Sequence, residues 1–261
     1  MKHLISQYKW LSHLKLLPII LFSIIVLGIA GAETVKVLRV KDGDTCLLED
    51  GRTVRYLSIN TPEEGDKYFQ EASLANNKLV GGKEVRLEFW NPKQDKYGRV
   101  LAYVFVNDTF VNQELLLKGY AHINRPVEEK YKNLLLKAQE EARISGLGIW
   151  KHAKDKNIAI PDVHPKETDK KNLNSEFIVI ENFGDTPIDL TGWTVSDEAN
   201  HRYLFPNYIL QAKGKVTLRT GLGKNSLLEL FWGSGKPIWN NDGDTIFIRD
   251  AEGNLILCYI Y

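Results

Sequence analysis

Four short stretches of this chain set acids and arginines at spacings suited to work on a phosphate ester: Asp42-Gly43-Asp44-Thr45, Arg55, Thr61-Pro62-Glu63-Glu64 and Asp95-Lys96-Tyr97-Gly98-Arg99. Breaking a phosphodiester needs a nucleophilic water, neutralisation of the phosphate charge, and donors for the oxygen that crowds onto phosphorus. Asp44 and the Thr61 carbonyl offer hard oxygens of the type Ca²⁺ takes. Glu63, held after a stiff Thr-Pro, is placed to orient or deprotonate a water. A guanidinium matches phosphate with two parallel donors and keeps its charge at any relevant pH. Singly, each residue is ordinary, since a strand arginine is usually a surface cation and paired glutamates in a loop are usually solvated. Their conjunction carries the chemistry. Asp42 and Asp95 are expected to serve their own turns.

The elements that must hold these residues read as short alternating strands, "TVKVLRV", "TCLLEDGRTVRYLSI", "KEVRLEFW" and "RVLAYVFV", with a hairpin signal at 49–51. Three helical patterns interrupt them, "KYFQEASLANNKLV", "FVNQELLLKGY" and "EEKYKNLLLKAQEEARISG". In the third, Tyr131, Leu134, Leu135, Ala138 and Ala142 share one face and Gly146 can end the helix. Five strands with interleaved helices predict a small closed barrel over residues 33–152. Residues 153–174 lose the periodicity and gain charge, Pro and Asn, which predicts a linker. From 175 to 261 about seven short strands follow at intervals of about ten residues with no helical stretch, predicting an immunoglobulin-like sandwich. The fold class is therefore mainly β with some α.

"DGDT" at 42–45, "VRYLSINTPEE" at 54–64 and "DKYGRVLAYV" at 95–104 resemble, in order and spacing, the staphylococcal nuclease (thermonuclease) family, over residues 34 to about 151. The resemblance implies a five-stranded OB-type barrel and Ca²⁺-dependent endonuclease cleavage of DNA and RNA that leaves 3′-phosphates. It makes Arg55, Glu63 and Arg99 catalytic and Asp44, Asn60 and Thr61 the metal ligands. Asn60 departs from the family, which usually has an Asp there; an amide oxygen still ligates Ca²⁺, with one formal charge fewer. In "GYAHINRPVEE" at 119–129 the family's longer tyrosine-bearing loop is missing, which leaves Tyr97, Tyr120 and Arg125 for substrate contact, and an Arg plane also stacks on bases. Glu64 and Asp66 make the preceding loop acidic.

The second "DGDT", at 242–245, has no Arg or Thr-Pro-Glu at matching spacing and reads as a turn feeding a strand. With "GDTPIDLTGWTVSDEANHRYLFP" and "LFWGSGKPIWNNDGDT" it makes residues 175–261 similar to a lamin-tail domain, an immunoglobulin-like module whose partner these residues leave open. Trp193, Trp232 and Trp239 are expected to pack rather than to stack a ligand.

The formal charge of the whole is +1. By region there are 3 cations and no acids in 1–32, 19 against 18 in 33–152, and 12 against 15 in 153–261. Binding of a polyanion must then rest on a few placed cations, and the acidic C-terminal half is a poor nonspecific DNA clamp. Lys2, Lys9 and Lys15 precede the uncharged "LLPIILFSIIVLGIAGA" at 16–32, which ends in a small-x-small site. That order fits a secretory signal or a retained membrane anchor, and export either way. Cys46 and Cys258 fit no metal motif and are expected in strands, with no disulfide assigned. The rival reading is a noncatalytic nucleic-acid or protein binder on a nuclease-like barrel.

Overall fold

The computed structural model describes residues 32–151, 157–165 and 172–261. The segment expected to be a signal or anchor lies outside them, apart from Ala32. Strands β1 (Ala32–Val40), β2 (Thr45–Leu48) and β3 (Thr53–Tyr56) form an antiparallel meander. The two-residue β4 (Ile59–Asn60) and helix α1 (Phe69–Val80) follow. Next come β5 (Glu84–Gln94), β6 (Val100–Val106), the short β7 (Thr109–Phe110) and helix α2 (Val111–Leu117). β8 (His122–Ile123) and helix α3 (Glu129–Ile144) complete this half. β5 pairs with both β1 and β6, and β6 returns to β3 in parallel, with Val54 opposite Val100 and Arg55 opposite Leu101. That last pairing closes a five-stranded barrel.

Alternation fills the barrel. Val37, Leu48, Val54, Tyr56, Leu87, Ala102 and Val104 point inward, and α2 and α3 cover the interior with Leu115, Leu116, Leu135 and Ala138. The α3 stripe differs from the sequence pattern at one place: Leu134 is 41% exposed, while polar Gln139 is buried. Gln139 accepts the Ile123 amide through its Oε1, so a hydrogen bond to β8 outranks the apolar period. Gly146, at φ 61°, ends the helix as expected. Gly119 must be glycine, since its φ is 69° and a Cβ would stand 2.2 Å from the Leu147 carbonyl.

The second half is a sandwich of two four-stranded sheets. One holds β9 (Ile158–His164), β10 (Phe177–Asn182), β15 (Lys215–Arg219) and β16 (Glu229–Phe231). The other holds β12 (Thr194–Ser196), β13 (Arg202–Leu204), β17 (Thr245–Arg249) and β18 (Leu255–Ile260). β11 (Ile188–Asp189) and β14 (Ile209–Leu210) pair separately. Ile178, Ile180, Val216 and Leu218 of one sheet meet Val195, Ile246 and Ile248 of the other over a common core. Trp193 and Trp239 are buried in it and Trp232 packs at its margin.

The linker expected over 153–174 is not unstructured throughout, because β9 lies inside it and pairs antiparallel with β10. Ile158 and Ile160 are its buried positions. Pro161 hid the pattern, yet β9 is the edge strand of its sheet, where a missing N–H is tolerated.

Barrel and sandwich share a third apolar cluster of Ala142, Ile149 and Trp150 from the first half with Phe247 and Leu255 from the second. The Phe247 ring lies 4.7 Å from that of His122 and 5.8 Å from Trp150, centre to centre. Burial pushes His122 down to about 3, so its ring is neutral in the fold. The unfolded chain takes up this proton below about 6.5, and the stability tied to the neutral ring is lost as pH falls from there towards 3. An NMR titration should show no His122 midpoint above pH 5; a midpoint near 6.5 would place the ring in solvent. Phe247→Ala should cost about 3 to 5 kcal/mol in urea unfolding, the range for emptying a buried aromatic site.

Candidate active site

The site is built on Gly43. A Cβ there would lie 2.6 Å from Thr61 Oγ1, so the absence of a side chain lets the 42–45 turn rest against the loop after β4. Asp42 closes that turn by accepting the Asp44 amide at 3.0 Å, which is the turn role expected of it. Burial, reinforced by the Asp44 charge, pushes the Asp42 carboxyl up to about 6.

Asp44 then joins three stretches of chain. Its Oδ1 accepts Thr45 Oγ1 at 3.1 Å and forms an ion pair with Arg55, whose Nε lies 3.1 Å away. Its Oδ2 accepts the Thr61 amide at 2.9 Å and Thr61 Oγ1 at 3.1 Å. The Arg55 guanidinium continues outward, donating to the carbonyls of Tyr56 and of Ile59 (2.8 Å) and to Asn60 Oδ1. Three of its five N–H groups are thereby hydrogen-bonded within the protein, beside the ion pair to Asp44.

Asp44, Arg55, Asn60 and Thr61 are thus brought together, and Glu63 follows two residues on, exposed, in a loop closed by the Asp66 amide on the Glu63 carbonyl at 2.9 Å. Arg99 stands on the adjoining chain, two residues before Leu101, the ladder partner of Arg55. Its Nε is 2.8 Å from Asp95 Oδ2, and Asp95 also accepts the amides of Tyr97 and Arg99. Tyr97 is 71% exposed at the tip of that turn. Tyr120 packs, half-buried, against the barrel core. Arg125 turns to the sandwich and pairs with Glu198.

Glu198 is the residue that sequence reasoning missed. Its carbonyl accepts Asn60 Nδ2 at 2.9 Å, its amide donates to Asp244 Oδ1 at 3.2 Å, and its carboxylate takes Thr245 Oγ1 at 2.7 Å as well as Arg125. Burial pushes its carboxyl up to about 7 against the pull of Thr245 and Arg125. The only signal for it was the second "DGDT", which the structure keeps as a turn into β17 and also uses to hold Glu198. The bond to Glu198 fixes the orientation of Asn60, amide nitrogen to the sandwich and oxygen to Arg55. An Asp at 60 could not donate to that carbonyl.

The oxygens gathered here are one carboxylate, one amide oxygen and those of Thr61, a hard donor set compatible with Ca²⁺ but carrying a single formal charge. Among the described residues no group of three or more His, Cys, Asp or Glu side chains is placed to hold a metal ion. Water would have to complete the coordination.

Residues 53–152 match the family described as staphylococcal nuclease homologue, and residues 151–261 match the Lamin Tail Domain. A thermonuclease of Staphylococcus intermedius is 38% identical over 128 residues, which are 45% of this chain and 76% of that protein. The chain belongs to the staphylococcal nuclease family. Among similar members, the SPbeta prophage-derived endonuclease YokF of Bacillus subtilis is 39% identical over 124 residues, 43% of this chain and 42% of its own length. An uncharacterized protein of Bacillus anthracis is 39% identical over 135 residues, 46% of this chain and 63% of its own. The chain thus spans less than two thirds of the length of these last two. The family match starts at β3, so the Asp42–Thr45 turn precedes it and reaches the matched residues only through the barrel fold.

Asn60→Asp removes one inter-domain donor and faces a carboxylate with a carbonyl. The loss should be about 1 to 3 kcal/mol in urea unfolding, with faster hydrogen exchange at the Glu198 amide. Unchanged exchange would mean that the Asn60 bond does not hold the sandwich loop.

Proposed function

We propose that this chain is an exported endonuclease that hydrolyses phosphodiester bonds of DNA and RNA with Ca²⁺ and leaves 3′-phosphates. The observation that supports the reading is the joint hold of Asp44 on Arg55 and on Thr61, two residues before the exposed Glu63. The thermonuclease and endonuclease names of its relatives support the reaction class. The charged and apolar order of residues 2–32 supports export, with retention as an anchor the other possibility.

In this mechanism the exposed Glu63 accepts the proton of the attacking water. Arg55 exchanges a carbonyl for a phosphate oxygen and Arg99 swings from Asp95 to a second one; both then meet charge that grows as the fifth oxygen arrives. Ca²⁺ would be held by Asp44, Asn60 Oδ1 and the Thr61 carbonyl, where it supplies neutralisation of phosphate charge. Tyr97, Tyr120 and Arg125 are placed here as substrate contacts, with Arg125 reaching a nucleotide only after release from Glu198.

A second reading has its own observation. Asp44, Asn60 and Thr61 are only 6%, 5% and 4% exposed, which suits a barrel that binds without cutting.

Cleavage of single-stranded DNA and of RNA by the purified protein separates the two. Arg55→Ala and Glu63→Gln should each lower kcat by about 10²-fold or more, chelation should abolish turnover, and Asn60→Asp should bind Ca²⁺ more tightly by calorimetry. Cleavage indifferent to both substitutions removes this site, and no cleavage at any Ca²⁺ level selects the binder.

A further inference from the structure

A cavity of about 250 Å³ opens between barrel and sandwich. Thr61 and Pro62 form part of its wall on one side, so it adjoins the candidate active site, and Arg202 and Arg249 face it from the sandwich. Lys67 and Lys151 stand exposed at its rim.

The two arginines are used differently. Arg202 is bonded through both terminal nitrogens to Asp66, at 2.7 and 2.8 Å. Arg249 lies over the Phe247 ring at 4.8 Å, and among the described residues no carboxylate is within ion-pair distance of it. Burial, with the neighbouring Arg202 charge, pushes the Arg249 guanidinium down to about 10 against the pull of Asp66 and Cys258. A cation kept inside a wall without an ion-pair partner is costly, and such groups collect at sites that receive a charge of opposite sign. The acids of the cavity are already engaged or peripheral. Asp66 is spent on Arg202, Asp250 accepts the amides of Glu252 and Asn254 and the Asn254 side chain, and Glu252 is exposed.

We propose that this cavity is a second anion site, shared between the two halves, that takes a tetrahedral phosphate on Arg249 with Lys151 and Lys67 at the entrance. A guanidinium offers such an oxyanion two parallel donors, and the cavity has room for the group with water. Because Thr61 lies in its wall, the phosphate has two possible sources: a group on the strand flanking the bond to be cut, or a free ion. The choice of a strand rests on the nuclease reading above.

The test is done with the full chain and with Ca²⁺ chelated, so that nothing depends on turnover. Inorganic phosphate is titrated by calorimetry, and a labelled single-stranded oligonucleotide by fluorescence anisotropy. Arg249→Gln should weaken phosphate binding at least tenfold and Lys151→Glu severalfold, while Lys215→Ala, at an exposed strand residue of the other sheet, leaves it unchanged. Lys151 is exposed at the rim, so its variant decides the matter if Arg249→Gln fails to fold. Parallel loss of oligonucleotide affinity identifies a strand phosphate; loss for inorganic phosphate alone identifies a free ion, and either upholds the site. Phosphate affinity that ignores residues 249 and 151, or that vanishes with Lys215→Ala, overturns it. A protein that binds phosphate through Arg249 yet cuts nothing refutes the nuclease reading alone.

Discussion

The carboxylate of Asp44 accepts three hydrogen bonds and one ion pair from three separate stretches of chain, and the candidate site exists because of that convergence. Its Oδ1 draws in the side chain of a barrel strand and its Oδ2 captures both the amide and the hydroxyl of Thr61. A buried carboxylate is stable only when its charge and lone pairs are met, and here an arginine and three neutral donors meet them. The same bonds that satisfy Asp44 therefore aim Arg55 and fix the loop that carries Glu63. The barrel supplies the remaining constraint. Since β3 and β6 close it in parallel, the chain bearing Arg99 runs beside the strand bearing Arg55.

The sandwich repeats this device for a different purpose. Asp244 accepts the amides of Glu198, Thr245 and Asn240, and so shapes the loop that reaches the barrel. The loop is held by polar bonds to Asn60 and Arg125, while Phe247 anchors the neighbouring strand in the apolar seam. Two kinds of force act there. Burial of the aromatic cluster gives the seam its cohesion, which is nondirectional, and the hydrogen bonds set its register.

Much of the fold was legible because alternation and helical spacing are local signals. The barrel strands and the three α-helices of the described residues were visible in this way, as were most strands of the sandwich. β11 and β14, of two residues each, are too short to show a period, and β9 was concealed by Pro161. Asp44, Arg55, Asn60 and Thr61 could be named as neighbours because the motifs that carry them resemble those of one family. Glu198 could not, since it is one acid in a loop and gains meaning only from contacts 138 and 73 positions away in sequence, to Asn60 and Arg125. The engagement of Arg125 was hidden for the same reason. The two copies of "DGDT" share residues but not one turn: Gly243 stands at φ 117° and Gly43 does not stand at positive φ, and the Asp44 amide is held by Asp42 while the Asp244 amide is held by the Tyr261 carbonyl. Only the tertiary neighbours show that one turn faces Arg55 and the other Glu198.

Phe247 and Leu255 belong to the sandwich in sequence, but their apolar surface is completed by Ala142, Ile149 and Trp150. Neither half therefore has a finished exterior of its own along this line. A chimera that exchanged one half for an unrelated one would carry an uncovered aromatic patch on each piece. The last turn of α3 with the Trp150 segment, and the β17–β18 hairpin, would have to travel together for such a graft to stay soluble.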